Sequence, residues 1–486
     1  MREPMIDPAR YPLFDKLLFA VFVLAVPAVV GSSWTIFRDG DVSWHVAAGR
    51  WILAHGRVPD TDPFSHTMEG QPWVAFEWLS EVIYASAFNV ASYAGLAATV
   101  TLALIAMYAI LFDFLRRRAG PIAILVAFAV VNILTYPFLL ARPHVLAWPL
   151  LAGWTAVLLK CRDSGQAPPW ALALLMFLWA NIHGSFAMGF IIAGAVALDA
   201  LVAVRWDRNV LLRWLMFGLA SLAAALLNLN GLDGLLHPLT VSGMKTLPAI
   251  EEWLPSNPRT SPFFYFILLG TLGILLFRRA SFTVGELLLL LFSLALAFWH
   301  IRHQGVLAII AALIVTPRLA GEARSQAAPL FKSTADWRIW TTAWITALLL
   351  IVGLRFAIPA QPREGFSNPR NLIAHVPSAL KREPVLNEYS FGGPLILAGI
   401  RPYIDGRADM YGDAFFSDYL KIVDGDHARF DRAVRRYGIS WTILQKDDRL
   451  VKVLDARPEW KRLYGDKIGV IHIHQPRMTG ELSSAR

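Results

Sequence analysis

Two carboxylates separated by a glycine, Asp39-Gly40-Asp41, stand where a long apolar run ends, and His45 follows Asp41 by four residues. In a helix that spacing puts Asp41 and His45 on one face. Near a low-dielectric surface a carboxylate ionises less readily, which moves its pKa toward the range a general base needs. Such a group would deprotonate a hydroxyl. The two acids with His45 would equally suit a divalent cation, because hard cations take carboxylate oxygens. The plainer alternative is that one acid caps the following helix and His45 seats it. Glu77, at the far end of the same polar stretch, is a further candidate. Between them, Asp60, Asp62 and Glu69 lie among Pro59, Pro63, Gly70 and Pro72 and fit turn and cap chemistry.

A second set of residues suits a phosphate. Arg142-Pro143-His144 and His300-Ile301-Arg302-His303 each place an arginine beside imidazoles at the end of an apolar run. The planar guanidinium fork matches phosphate oxygens. Together they would grip a lipid-linked phosphate and stabilise it as a leaving group. Each alone also suits contact with lipid headgroups. Asn181-Ile182-His183-Gly184, Asn228-Leu229-Asn230-Gly231 and His237 add neutral donors and acceptors for sugar hydroxyls, or ordinary helix-end caps.

The elements that must carry these residues are apolar helices. Of 486 residues 56% are hydrophobic and only 17% charged, with a mean hydropathy of +0.47, far from a soluble composition. Runs long enough to cross a bilayer, or nearly so, fall at 17–37, 92–115, 121–140, 144–160, 169–182, 186–204, 211–228, 262–277, 282–299, 305–319 and 339–358, about eleven spans. The net charge of +9 is not gathered into blocks interleaved with aromatics, so it does not indicate nucleic acid; short basic loops facing anionic lipid explain it. With the N-terminus cytoplasmic, most loop arginines and lysines lie inside. His45, His55, His66, His144, His183, His237, His300 and His303 then all fall at or near the outer face, as do Asp39, Asp41, Arg142 and Arg302. Ionisable groups at membrane depth are functional candidates.

Two outer loops are long, 38–78 and 228–262. In the first, Asp41–His55 has helical spacing, with Val42, His45, Val46, Gly49, Ile52 and Leu53 on one side, Trp44 and Trp51 at the membrane interface, and Gly56 as the stop. Glu77–Val90 is a second short helix. From 359 to 486 the composition becomes that of a soluble domain. Strands are expected at Pro384–Tyr389, Arg401–Ile404, Ser440–Gln445 and Val470–His474. Helices are expected at Ala414–Val423, Ala428–Tyr437 and Arg449–Ala456. This is a small α/β layer domain after a multi-pass α-helical module of residues 1–358. The lone cysteine, Cys161, excludes an intrachain disulfide.

This arrangement resembles the GT-C superfamily, integral-membrane glycosyltransferases that take a sugar from a polyprenyl-phosphate carrier. The residues that carry the resemblance are Asp39 and Asp41, Trp44-His45, Gly49-Arg50-Trp51-Ile52-Leu53, the run Val58 to Ser65, Pro72-Trp73 and Glu77-Trp78-Leu79, with Tyr403-Ile404-Asp405-Gly406-Arg407 in the tail. They look like a bacterial group of unassigned substrate; the likeness to characterised GT-C enzymes is architectural and covers roughly the first seven spans. The resemblance implies inverting transfer, with Asp41 or Asp39 as base on an acceptor hydroxyl of a glycan, lipid or protein. The polyprenyl phosphate leaves, stabilised by cationic groups or a divalent cation. It also implies work at the periplasmic face of a bacterial inner membrane, with the C-terminal domain periplasmic. A transporter or flippase for lipid-linked saccharides, or a ligase component, is the alternative; a transporter would place polar residues near mid-membrane.

Overall fold

A computed structural model of the protein describes residues 19–320, 346 and 361–475. The expected span at 339–358 (residue 346 aside) and the boundary at 358 fall outside the described residues. The chain divides into two compact units. One comprises Met1–Ile36, Phe76–Ser242 and Leu247–Gln361, and the other Phe37–Ala75, Gly243–Thr246 and Pro362–Arg486. The first polar loop therefore folds with the C-terminal segment.

The first unit is helical. Trp78–Leu115, Pro121–Phe138, Pro143–Ser164, Phe186–Ala203 and Arg208–Leu226 are each long and apolar enough to cross a membrane, and Ala20–Gly31, Ala171–Ile182, Pro262–Arg278 and Val284–Trp299 are shorter apolar helices. The protein is a multi-pass membrane protein. Its helix starts follow from the sequence. Proline opens the helices at Pro121, Pro143 and Pro262, where a missing N–H costs nothing. Asp207 accepts from the Asn209 and Val210 N–H groups, and Thr283 forms a capping box with Glu286. The first apolar run ends sooner than expected: its helix stops at Gly31, and a 3₁₀ turn occupies Trp34–Phe37. Trp78–Leu115 joins the expected short helix and the next span, with non-helical backbone at Ala91 and Ser92.

At one end of this unit, charges staple the helices together. Arg162 reaches Asp199 at 3.2 Å and Glu286 at 2.9 Å, and Arg318 reaches Glu286 at 2.9 Å. Asp199 also accepts from the Gly285 N–H and the Thr283 hydroxyl. Both acids are almost fully buried, so the pairing offsets their desolvation and links four helices.

The second unit holds a four-stranded sheet of β1 (Val385–Asn387), β2 (Trp441–Gln445), β3 (Trp460–Gly465) and β4 (Gly469–His474), in the order β1-β2-β4-β3. β1 and β2 are parallel; the other pairs are antiparallel. Val385, Trp441, Ile443 and Ile471 of the sheet pack with Leu372, Phe391 and Leu395. Helices Ala408–Val423, His427–Tyr437 and Arg449–Asp455 lie close to the expected ranges. Arg401–Ile404 is not a strand. Asn387 Oδ1 accepts the Tyr403 N–H at 2.7 Å, which takes a donor a ladder would need. β3 is a strand the sequence did not announce, because Trp460-Lys461-Arg462 buries only the tryptophan.

Glu388 follows β1. Burial pushes its carboxyl up, its Ser390 partner pulls it back, and the Asp448 charge raises it again, to about 7. Between the ordinary carboxylate range and that value the folded protein holds a proton the unfolded chain lacks. This stability is complete at low pH and is lost as pH rises through about 7. Glu388→Gln is therefore expected to match the wild type at acidic pH and to be more stable by about 3 kcal/mol under alkaline conditions. Unfolding midpoints of both proteins across that range check the sign.

Candidate functional site

The acidic motif opens the Asp41–His55 helix, which ends at Gly56 in the left-handed conformation (φ 64°). Asp39 Oδ1 accepts the Asp41 N–H at 2.9 Å, so Asp39 does cap chemistry. Asp41 lies against the C-terminal segment: a Cβ built on Gly406 would overlap Asp41 Oδ1, and one on Gly393 would overlap the Gly40 carbonyl. Only glycine lets these backbones approach so closely. His45 is buried, its ring tilted against that of Trp44 with centroids 3.7 Å apart. Among the described residues no group of three or more His, Cys, Asp or Glu side chains is placed to hold a metal ion. Trp44 is not interfacial. It packs in a core cluster with Ala48, Trp73, Ala75 and Ile396. Leu53, expected on the packed side, is exposed.

Asp62 does far more than turn chemistry. It accepts from the Phe64 and Ser65 N–H groups, and Arg407 Nη1 donates to it at 2.7 Å. Arg407 also forks onto Asp405 at 2.7 and 2.6 Å, and the Tyr411 hydroxyl donates to Asp405 at 2.7 Å. The guanidinium lies over Trp73 (4.7 Å) and Phe64 (5.2 Å), and all three ionic side chains are at most 1% exposed. Around this core, Arg401 donates to the Ser65 carbonyl, Thr67 to the Tyr403 carbonyl, and His66 bonds the Val385 carbonyl. The first-loop run and the Tyr403–Arg407 run are therefore two halves of one packed structure.

The helical unit gathers the second set. Arg142 Nη1 meets Glu252 Oε2 at 3.2 Å, and Arg302 Nη1 meets Glu252 Oε1 at 2.7 Å. The Tyr84 hydroxyl donates to the Arg142 carbonyl. His144 and His183 rings are 6.1 Å apart, and His183 Nε2 is 3.6 Å from Glu77. His300 and His303 both flank Trp253, whose ring lies under Arg302 at 4.5 Å. Burial pushes Glu252 up, but Arg142 and Arg302 more than offset it and hold its carboxyl down to about 2. Burial, then Arg302, lowers His303 to about 3. Burial lowers His183 well below the usual imidazole range, and Arg302, His144, Arg142 and His303 add to it. The result is two arginines sharing one carboxylate among neutral imidazoles, a setting suited to a phosphate.

Glu77, Arg142, His144, His183, His300, Arg302 and His303, drawn from separate helix ends, thus come together. Glu252 was missed as a site residue; its signal was an acid pair with Trp253 between Pro248 and Pro255. Asn230 belongs to a turn, its N–H bonded to Asn228 Oδ1, while Asn228 Nδ2 donates to the Ala225 and Gly231 carbonyls. That is helix-end capping. His237 is buried, with its ring tilted against Phe76 at 4.3 Å.

No protein-family model matches the chain, and no curated protein matches it. Solved structures do. ArnT from Cupriavidus metallidurans bound to undecaprenyl phosphate is similar over 94% of this chain and 97% of its own, at TM-score 0.53 and 14% identity. The same enzyme in the apo state aligns over the same shares at TM-score 0.50 and 13% identity. The archaeal oligosaccharyltransferase AglB from Archaeoglobus fulgidus, in complex with an inhibitory peptide and a dolichol-phosphate, is similar over 96% of this chain and 75% of its own, at TM-score 0.50 and 12% identity. The chain shares the fold of these solved structures.

Proposed function

We propose that this GT-C-fold membrane protein transfers a glycosyl group from a polyprenyl-phosphate carrier to an acceptor hydroxyl of a glycan, lipid or protein. The observation that carries the reading is the Arg142–Glu252–Arg302 cluster with its ring of histidines, a pre-formed anion site in the helical unit. In this reading Arg142 and Arg302 hold the phosphate and take up charge as the sugar–oxygen bond breaks. His183 and His303 supply neutral hydrogen-bonding groups around it. Asp41 takes the proton of the acceptor hydroxyl. Asp39 is the less suited of the two, because its carboxylate already accepts the Asp41 N–H. One acid working as base, without a covalent intermediate, inverts the anomeric centre. The spread of arginine and lysine along the sequence favours a periplasmic face for the reaction. Charged clusters at helix ends favour an enzyme over a transporter with its site at mid-membrane.

The test uses purified full-length protein with short-chain prenyl-phosphate sugars. The wild type is expected to bind at least one and to release prenyl phosphate with an acceptor present. Arg302→Gln, which removes one fork, is expected to weaken donor binding by about tenfold or more. Absence of any prenyl-phosphate binding by the wild type would sink the reading, and the anomeric configuration of the product checks inversion.

A further inference from the structure

We infer that Glu252 sets which phosphate the site prefers: it leaves the Arg142–Arg302 pair suited to a singly charged phosphodiester and poorly suited to retain a doubly charged monoester. This rests on the phosphate reading of the cluster given above.

Glu252 is not a loose side chain waiting to be pushed aside. Its segment is zipped onto the junction between the Val284–Trp299 and Gln304–Ala320 helices. The Ile301 N–H donates to the Leu254 carbonyl at 3.0 Å, and the Ser256 N–H to the Phe298 carbonyl at 2.9 Å. The Ser256 hydroxyl donates to the Ala297 carbonyl at 2.6 Å, and Gln304 Nε2 donates to the Ser256 hydroxyl at 2.8 Å. His300 Nδ1 bonds the Trp253 carbonyl at 2.7 Å. The carboxylate therefore stays where it is when an anion arrives. Each of its oxygens accepts from Nη1 of a different guanidinium.

Glu252 cancels one of the two guanidinium charges it touches, with His183 and His303 neutral, and Glu77, 3.6 Å from His183, adds a second acid at the edge of the cluster. The three ionic side chains are 15 to 17% exposed, so their charges act at less than the dielectric of bulk water. The lipid-linked sugar is a phosphodiester with one negative charge. In the transfer, the bond between the anomeric carbon and the phosphate oxygen breaks and its electron pair stays on that oxygen. The acceptor oxygen bonds to the carbon, and its proton goes to the base. The departing lipid phosphate is a monoester, mostly dianionic above a second pKa of about 6. The added charge faces Glu252 as well as the arginines. Glu252 thus opposes the product more than the donor and favours its release.

Full-length protein in lipid nanodiscs would be titrated near neutral pH with farnesyl phosphate, a monoester, and methyl farnesyl phosphate, a diester. The wild type is expected to bind the diester at least as tightly as the monoester. Glu252→Gln should tighten the monoester by about tenfold and the diester by no more than about threefold. Turnover by this variant should become inhibited by added prenyl phosphate. Glu252→Asp, which keeps the charge, should keep the wild-type preference. Unfolding midpoints show whether each variant is folded. A wild type that already favours the monoester by about tenfold or more overturns the inference, and it needs no variant. Equal changes for both probes in Glu252→Gln, or weaker binding of both, overturn it too, since Glu252 would then only hold the arginines in place. Binding of neither probe by the wild type is a different failure; it removes the phosphate reading and the counter-ion role with it.

Discussion

Arg407→Ala is expected to destabilise the C-terminal unit by about 3–5 kcal/mol, because it leaves Asp62 and Asp405 buried without their counter-charge. The size follows from the geometry. Arg407 gives one nitrogen to Asp62 and two to Asp405, and its plane lies over Trp73 and Phe64. Among the described residues the other side chain that donates to Asp405 is Tyr411, whose hydroxyl is a neutral group. Arg407→Lys keeps the charge but replaces a fork by a point charge, so it should recover only part of the loss. The readout is hydrogen exchange and limited proteolysis. Protection should fall together in residues 57–75 and 401–411, which are far apart in sequence but share this ion pair. Unchanged protection of 57–75 in Arg407→Ala would show that the loop is held by its apolar contacts alone.

Asp41→Asn is expected to lower turnover by about two to four orders of magnitude while leaving donor affinity near that of the wild type. The carboxamide keeps the shape of the side chain and removes its basicity. Asp39→Asn should behave differently. Its loss is that of an N-terminal cap contact, about 1 kcal/mol of stability, with a smaller effect on turnover. Gly406→Ala supplies an independent check, since any side chain there would overlap Asp41 Oδ1 and force the carboxylate to move. It should lower turnover at nearly constant donor affinity although residue 406 carries no reactive group. Full turnover by both Asp41→Asn and Asp39→Asn would remove the first-loop base from the mechanism.

Much of this architecture was legible along the chain. Apolar runs marked the helices, because hydrophobic length and period act within one element. The Asp41–His55 helix and its stop at Gly56 were readable for the same reason. The arginines and histidines around Glu252 were readable as types at helix ends. Glu252 was not, since an acid in a long loop is ordinarily solvated and only its placement between two arginines distinguishes it. Trp44 was misread as interfacial because a tryptophan on an amphipathic helix looks the same whether it meets lipid or Ile396. Asp62 was misread as a turn residue because its turn bonds to Phe64 and Ser65 are local, while Arg407 lies 345 positions away.

By itself the sequence determined a multi-pass helical protein with an acidic motif after its first apolar run, cationic groups at several helix ends and a mixed α/β tail. Those properties depend on hydrophobic period, composition and capping, all of which act over a few residues. Only the tertiary structure decided that the first polar loop folds with the tail, that Asp41 rests against Gly406, and that Arg142 and Arg302 share Glu252. Each of those is a pairing of charges or backbones brought together from distant positions. Burial makes an unpaired charge costly, so the partner is fixed by the fold and cannot be read from spacing.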